Sequence, residues 1–270
     1  MRIPFRLACG LVLACAGLAP GAASAQPWQF DASIYGYFPR AGGTTNFPPS
    51  GGSGGGSTVT IDGDPLLNHL KFAFMGSFAA HRGEWGGFVD YIHIDFGDTV
   101  SGSRAINIAG VLPADAAASI DYGLKGNLLT LAGTWRAPVA VPGTMDVLFG
   151  ARMLDVDTHV SYALSGNIGS IGLQDRSGNR SASETNWDAI VGVRGRVPFG
   201  QGGRWFAPYH LDIGTGESKL TWQAMAGVGY AFGWGDVVGA WRYIDYHMKS
   251  GKVIDTLHFN GPSIAAVFHW

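Results

Sequence analysis

Three short stretches of the chain place histidine and aspartate at alternate positions: His93 with Asp95, Asp155 and Asp157 with His159, and Asp245 with His247. In an extended strand, residues two apart share a face, so each stretch can present an imidazole beside a carboxylate. A carboxylate/histidine hydrolase needs that combination to move a proton, and a divalent-metal site needs it for ligands. The competing reading is a solvated polar rim. A second set is dispersed over many segments: Asp31, Asp90, Asp146, Arg152, Asp188, Arg194, Arg196, His210, Asp212, Gln223 and Arg242. Both signs are represented, as in a salt-bridge network or a polar path for small solutes. No serine stands in a G-x-S-x-G setting, which leaves an elbow-type lipase unsupported. The run from Gly51 to Ser57 lacks the Lys-Ser/Thr of a phosphate loop. No motif implies a cofactor.

The elements that must carry these residues repeat with period two. From Leu220 to Trp234 one phase reads Leu220, Trp222, Ala224, Ala226, Val228, Tyr230, Phe232 and Trp234. The other reads Thr221, Gln223, Met225, Gly227, Gly229, Ala231 and Gly233. One face is wholly apolar with aromatics near its ends, and the other is small or polar. Ten such runs are expected, at 28–38, 68–82, 84–96, 118–136, 144–161, 184–198, 204–214, 219–233, 236–248 and 256–270. Several match the 9–11 residues a tilted strand needs to cross a bilayer. Short connections alternate with long ones, the longest being a Gly/Ser/Pro-rich loop near 39–67. The dispersed set falls on the small/polar phase, and the three His/Asp stretches fall on the other phase, toward the long connections.

Composition decides which solvent meets each face. Of 270 residues only 14% are charged, 46% are hydrophobic and 42 are glycine. A soluble domain averages about 25% charged residues, so the polar phase cannot supply the usual solvating surface. The net charge of −2 disfavours a basic nucleic-acid binder. The arrangement that works is an apolar face toward lipid and a polar face toward a lumen. The expected fold is therefore all-β: an antiparallel up-and-down transmembrane β-barrel of ten strands, with eight or twelve as the neighbouring counts. Its interior would hold Arg/Asp pairs, because an unpaired buried charge costs several kcal/mol.

Arg2 and Arg6, the apolar run Leu7–Leu18 and the Ala23-Ser24-Ala25 site have the three parts of a secretory signal peptide. Residues 1–25 are expected to be removed with both cysteines, Cys9 and Cys15, leaving 26–270 as a single barrel domain. The final segment, Ile264-Ala265-Ala266-Val267-Phe268-His269-Trp270, alternates hydrophobes and ends on an aromatic. With Trp222–Tyr230 and Trp241–Tyr246, it resembles the small outer-membrane β-barrel proteins of Gram-negative bacteria, the OmpA/OmpW-like group in the broad sense. The resemblance implies an outer-membrane location. It also implies recognition of Ile264, Phe268 and Trp270 by the barrel-assembly machinery. The expected role is non-enzymatic: structural, a narrow conduit, or surface interaction by a monomer contacting lipid and lipopolysaccharide. The alternatives are a rim-active hydrolase of peptide or lipid, and passive transport of small solutes.

Overall fold

The computed structural model describes residues 26–47, 57–61, 70–102, 116–140, 142–168, 171–172, 176–200, 202–252 and 254–270. The expected signal peptide and the core of the glycine-rich loop, 48–56, lie outside them. Among the described residues there is no helix. The strands are β1 (Gln29–Tyr37), β2 (Arg40–Phe47), β3 (Ser57–Ile61), β4 (Leu70–Arg82), β5 (Trp85–Gly102), β6 (Ala116–Ala137) and β7 (Thr144–Ile168). They continue as β8 (Ile171–Gly172), β9 (Arg176–Phe199), β10 (Trp205–Gly216), β11 (Ser218–Ala231), β12 (Asp236–Met248) and β13 (Ile254–His269).

Ten of them form a closed antiparallel ring in the order β1-β4-β5-β6-β7-β9-β10-β11-β12-β13, with β13 returning to β1. The closing seam runs from Asp31 opposite His269 to Tyr37 opposite Ser263. Reciprocal backbone bonds finish it: Phe30 N–H donates to Trp270 O (2.9 Å) and Trp270 N–H to Phe30 O (3.1 Å). Closure leaves no unpaired edge in hydrocarbon, the condition for any β structure to cross a membrane. Between β4 and β5, Arg82 pairs with Trp85 across Gly83-Glu84. Gly83 has φ +66°, as the first position of a tight primed hairpin turn demands.

Two features depart from the expected layout. Within the stretch read as loop at 39–67, β2 pairs with the first half of β13 and β3 pairs with β2. Pro39, which has no N–H to give to a ladder, marks the jog between β1 and β2. The strands β5, β6, β7 and β9 also run to 18, 22, 25 and 24 residues, against 12, 14 and 13 in β10, β11 and β12. Their surplus lengths form a four-stranded sheet continuing past the barrel.

The two faces exchange chemistry partway along each strand. On β5, Trp85, Val89 and Tyr91 point outward and are followed by His93 and Asp95, while the inner face passes from Asp90 to the buried Ile92, Ile94 and Phe96. On β7 the outer row changes from Val147, Phe149 and Met153 to Asp155 and Asp157, and the inner row changes from Asp146 and Arg152 to Leu154 and Val156. On β12 the outer row changes from Trp241 and Tyr243 to Asp245 and His247, as Arg242 gives way to Ile244, Tyr246 and Met248 inside. The outward apolar stretch Met145–Met153 spans roughly 26 Å at ~3.3 Å per residue. At a tilt of ~40° this covers about 20 Å of membrane, close to the ~25 Å apolar band of such barrels. Ile34, Phe78, Leu131, Phe149 and Val191 are exposed on this belt. Lipid, rather than water, is the solvent that makes that exposure favourable.

Candidate functional site

The lumen contains three layers. The middle one is a transverse plate of charged and polar side chains drawn from seven strands. Arg242 Nη2 donates to Asp90 Oδ2 (2.7 Å) and to Gln223 Oε1 (2.8 Å), and its Nη1 donates to Tyr35 Oη (3.0 Å). Tyr35 Oη–H in turn donates to Asp90 Oδ1 (2.6 Å). Arg152, wholly buried, donates Nη2 to Asp212 Oδ2 (2.5 Å) and Gln223 Oε1 (3.4 Å), and Nε to Thr130 Oγ1 (3.3 Å). His210 Nε2 lies 2.8 Å from the same Asp212 oxygen. These groups cross the bore from β5 and β12 to β7 and β10. Each guanidinium here has a carboxylate partner, which offsets the desolvation of bringing it inside.

Toward the long connections the bore is filled by apolar side chains. Tyr37, Met75, Ile92, Ile94, Phe96, Leu128, Leu154, Val156, Ile244, Tyr246 and Met248 pack as one cluster with Ile254 and Leu257. The gap beside Ile92, Leu154 and Ile244 measures about 30 Å3, no more than about one water. The expectation that Arg/Asp pairs fill the lumen is therefore corrected for this half: charge occupies only the middle. Outside the hydrocarbon the outer wall can meet water, so the apolar residues there turn inward instead.

Toward the short turns the lumen opens into a vestibule of about 300 Å3. Its wall carries Arg136, Arg194, Arg196, Asp31, Asp146, Asp236, His81 and His269 on the short-turn side of the plate. Asp146 accepts Arg136 Nε and Nη2 at 2.8 and 3.2 Å and lies 3.3 Å from His81 Nε2. Arg196 Nη1 donates to Asp236 Oδ2 (3.0 Å). His269 bridges two carboxylates, Nδ1 to Asp31 Oδ1 (2.5 Å) and Nε2 to Asp236 Oδ2 (2.9 Å). Three charged residues of the inner set are outside Arg/Asp pairs: Asp31, which faces His269, and Asp188 and Arg194. Asp188 Oδ1 accepts the Ser218 backbone N–H (2.8 Å), and Arg194 lies over the Phe88 ring at 4.0 Å with no ion pair among the described residues.

The His/Asp stretches lie on the outer wall, in separate places. His93, Asn127, Asp155 and Thr185 occupy one cross-strand row over β5, β6, β7 and β9. His93 Nδ1 is 2.7 Å from Asn127 Oδ1, Asn127 Nδ2 donates to Asp155 Oδ2 (3.1 Å), and Thr185 Oγ1 donates to Asp155 Oδ1 (2.7 Å). In the next row Asp95 pairs with Lys125 (3.4 Å), and Asp157 is exposed. His159 lies across Gly123, where a Cβ would overlap the imidazole. Asp245 accepts Trp222 Nε1 (3.0 Å) and contacts His247 (3.0 Å) four strands away around the cylinder. Among the described residues, no three His, Cys, Asp or Glu side chains gather as a metal site would require. Ile264, Phe268 and Trp270 point outward, Ile264 at mid-strand and the other two at the short-turn end, with Trp270 against Phe30 (5.9 Å) and Phe78 (6.3 Å).

Residues outside the sequence-derived set complete the lumen: Tyr35, His81, Thr130, Arg136, Asp236 and His269. Tyr35 shares the phase of Asp31, His81 that of Ser77, and Asp236 that of Arg242. Continuing each phase to the strand end would have found them; Thr130 carries no charge to attract notice.

A closed cylinder with an apolar outer belt, aromatic residues at its margins and ionised groups held inside is a transmembrane β-barrel. No protein-family model and no curated protein matches the chain. Among solved structures it is similar to the outer membrane protease OmpT from Escherichia coli, at 10% identity over 90% of this chain and 96% of that one, with a TM-score of 0.47. It is also similar to Ail, the attachment invasion locus protein of Yersinia pestis, at 10% identity over 91% and 99% of the two chains, with a TM-score of 0.31. The monoaromatic hydrocarbon channel CymD has 9% identity over 91% and 89%, with a TM-score of 0.30. The ten-strand count rests on this chain's own register, not on these likenesses.

Proposed function

We propose that this protein is a monomeric outer-membrane barrel with a sealed bore and no catalytic role, whose task is structural or surface interaction. The observation that carries the reading is the pair of seals in series. The ionic plate around Arg152 and Arg242 is followed by the apolar cluster around Ile92, Leu154 and Ile244. A solute would have to disrupt both. The four-stranded extension of β5, β6, β7 and β9 then supplies the surface that meets partners, with lipopolysaccharide and lipid around its base. Ile264, Phe268 and Trp270 serve the assembly machinery, and residues 1–25 direct export.

A rim hydrolase is the weaker reading. A hydrolase must converge its groups on one substrate atom, whereas the His/Asp stretches point radially outward and Asp155 is held by Asn127 and Thr185. Passive transport draws support only from the vestibule, which ends at the plate. Recording from the refolded full chain in planar bilayers separates these readings. Sealed barrels give no steady conductance, and stepwise openings in the unaltered protein would sink the proposal.

A further inference from the structure

We propose that the vestibule is a binding site for a small organic monocarboxylate, with its carboxylate on Arg194 and its apolar body against the adjoining wall. Four arginines line the cavity: Arg136, Arg194, Arg196 and Arg242. Three have a carboxylate partner, in Asp146, Asp236 and Asp90 respectively. The fourth cavity carboxylate, Asp31, faces His269, whose second nitrogen faces Asp236. Both ring nitrogens can donate only if the ring is an imidazolium, so Asp31 is neutralised as well. That leaves Arg194 as the surplus cation of the wall.

Its surroundings point the same way. The guanidinium is stacked on Phe88 (4.0 Å), and its Nη1 is shielded from solvent without a hydrogen-bond partner. The residue is partly exposed, and the space it meets is the cavity. Arg152 and Arg242 also leave one nitrogen each unpartnered, but each already has its aspartate. A stacked, charged group short of an anion recruits one of complementary geometry, and a carboxylate can take two parallel N–H bonds from a guanidinium. The apolar part of the cavity wall is formed by Phe206, Pro208, Met225, Ala265 and Val267. A volume of about 300 Å3 is at the small end of ligand pockets and suits a body of one ring or a short chain. The mouth is open, since Asp31 and His269 remain more than a third exposed. It lies at the short-turn end, the periplasmic side in barrels of this class.

The test uses the full chain refolded in detergent, with benzoate as probe and ligand-detected NMR as readout. Benzoate should bind saturably, while the neutral benzyl alcohol should bind at least tenfold more weakly. R194Q should lose at least tenfold in benzoate affinity while keeping its heat-modifiable mobility, and R204Q, outside the cavity, should bind as the unaltered chain does. Equal binding of benzoate and benzyl alcohol would overturn the proposal, as would an R194Q barrel that still binds benzoate. Displacement of benzoate by an equal concentration of inorganic phosphate would overturn the assignment of the apolar body. If R194Q fails to fold, the comparison of the two probes on the unaltered protein still decides.

Discussion

Arg152 and Arg242, two cations of like sign in the middle of the bore, share one acceptor, the Oε1 of Gln223, at 3.4 and 2.8 Å. The amide oxygen lets two guanidiniums from β7 and β12 approach the same point, while Asp212 and Asp90 hold their other sides. Gln223→Leu removes the shared acceptor and keeps the volume. Hydrogen bonds to charged groups contribute about 1.5–3 kcal/mol each, so the variant should lose about 2–3 kcal/mol of stability. Urea unfolding in lipid vesicles measures it, and an unchanged midpoint would show that the amide contributes nothing.

The Arg152–Asp212 pair should behave non-additively. Arg152→Leu leaves the buried Asp212 with His210 as its remaining partner and should cost about 3–5 kcal/mol. The double replacement by leucine removes both charges, and its stability should return to within about 1–2 kcal/mol of the original or exceed it. A double-mutant cycle by urea denaturation reads the coupling, and simple additivity would contradict the pairing.

The two seals are independent in chemistry, so opening one leaves the other shut. Leu154→Ala should cost about 2–5 kcal/mol by leaving a cavity in the apolar cluster. It should not raise conductance, because the plate below it is intact. Combined removal of plate and plug, in Arg242→Ala with Leu154→Ala, should admit ions. Planar-bilayer recording of single and double variants decides, and conductance in Leu154→Ala alone would contradict two seals.

The boundary between lipid-facing and water-facing wall falls between Met153 and Asp155 on β7. Residues 26–270 contain no cysteine, so single introduced thiols report cleanly. Cysteine at His93 or Asp155 should react with a membrane-impermeant maleimide in vesicles that present the long-loop end outward. Cysteine at Leu131 or Phe149 should be protected. Equal labelling at all four sites would mean that the apolar belt is misplaced.

Much of the barrel was legible because lipid imposes a simple rule on each strand that crosses it. Wherever Val147, Phe149 and Met153 alternate with Asp146, Leu148 and Arg152, period two is visible and the strand can be read. The rule lapses beyond the boundary, which is why β2, β3 and the upper parts of β5, β6, β7 and β9 were not distinguished from loops. The inner charges could be placed on the lumen side by phase, but their partners could not. Phase gives a direction, and pairing depends on the shear and tilt that bring β5 opposite β12. Nothing in the spacing of Asp188 shows that it holds the Ser218 N–H. Likewise, nothing local marks Arg194 as the arginine without an aspartate. Only the closed cylinder exposes that imbalance.

The exchange of inner and outer chemistry along β5, β7 and β12 also fixes how deep the molecule floats. Pushing the barrel toward the short-turn side would drag Asp155, Asp245 and His93 into hydrocarbon; lifting it would bring Met153, Tyr91 and Tyr243 into water. A strand that slips by one residue is penalised on both sides of the boundary at once, because Arg152 would enter lipid while Leu154 would meet water. Each strand thus carries its own draught mark. The vertical position of the protein and the register of its wall are set by the same residues.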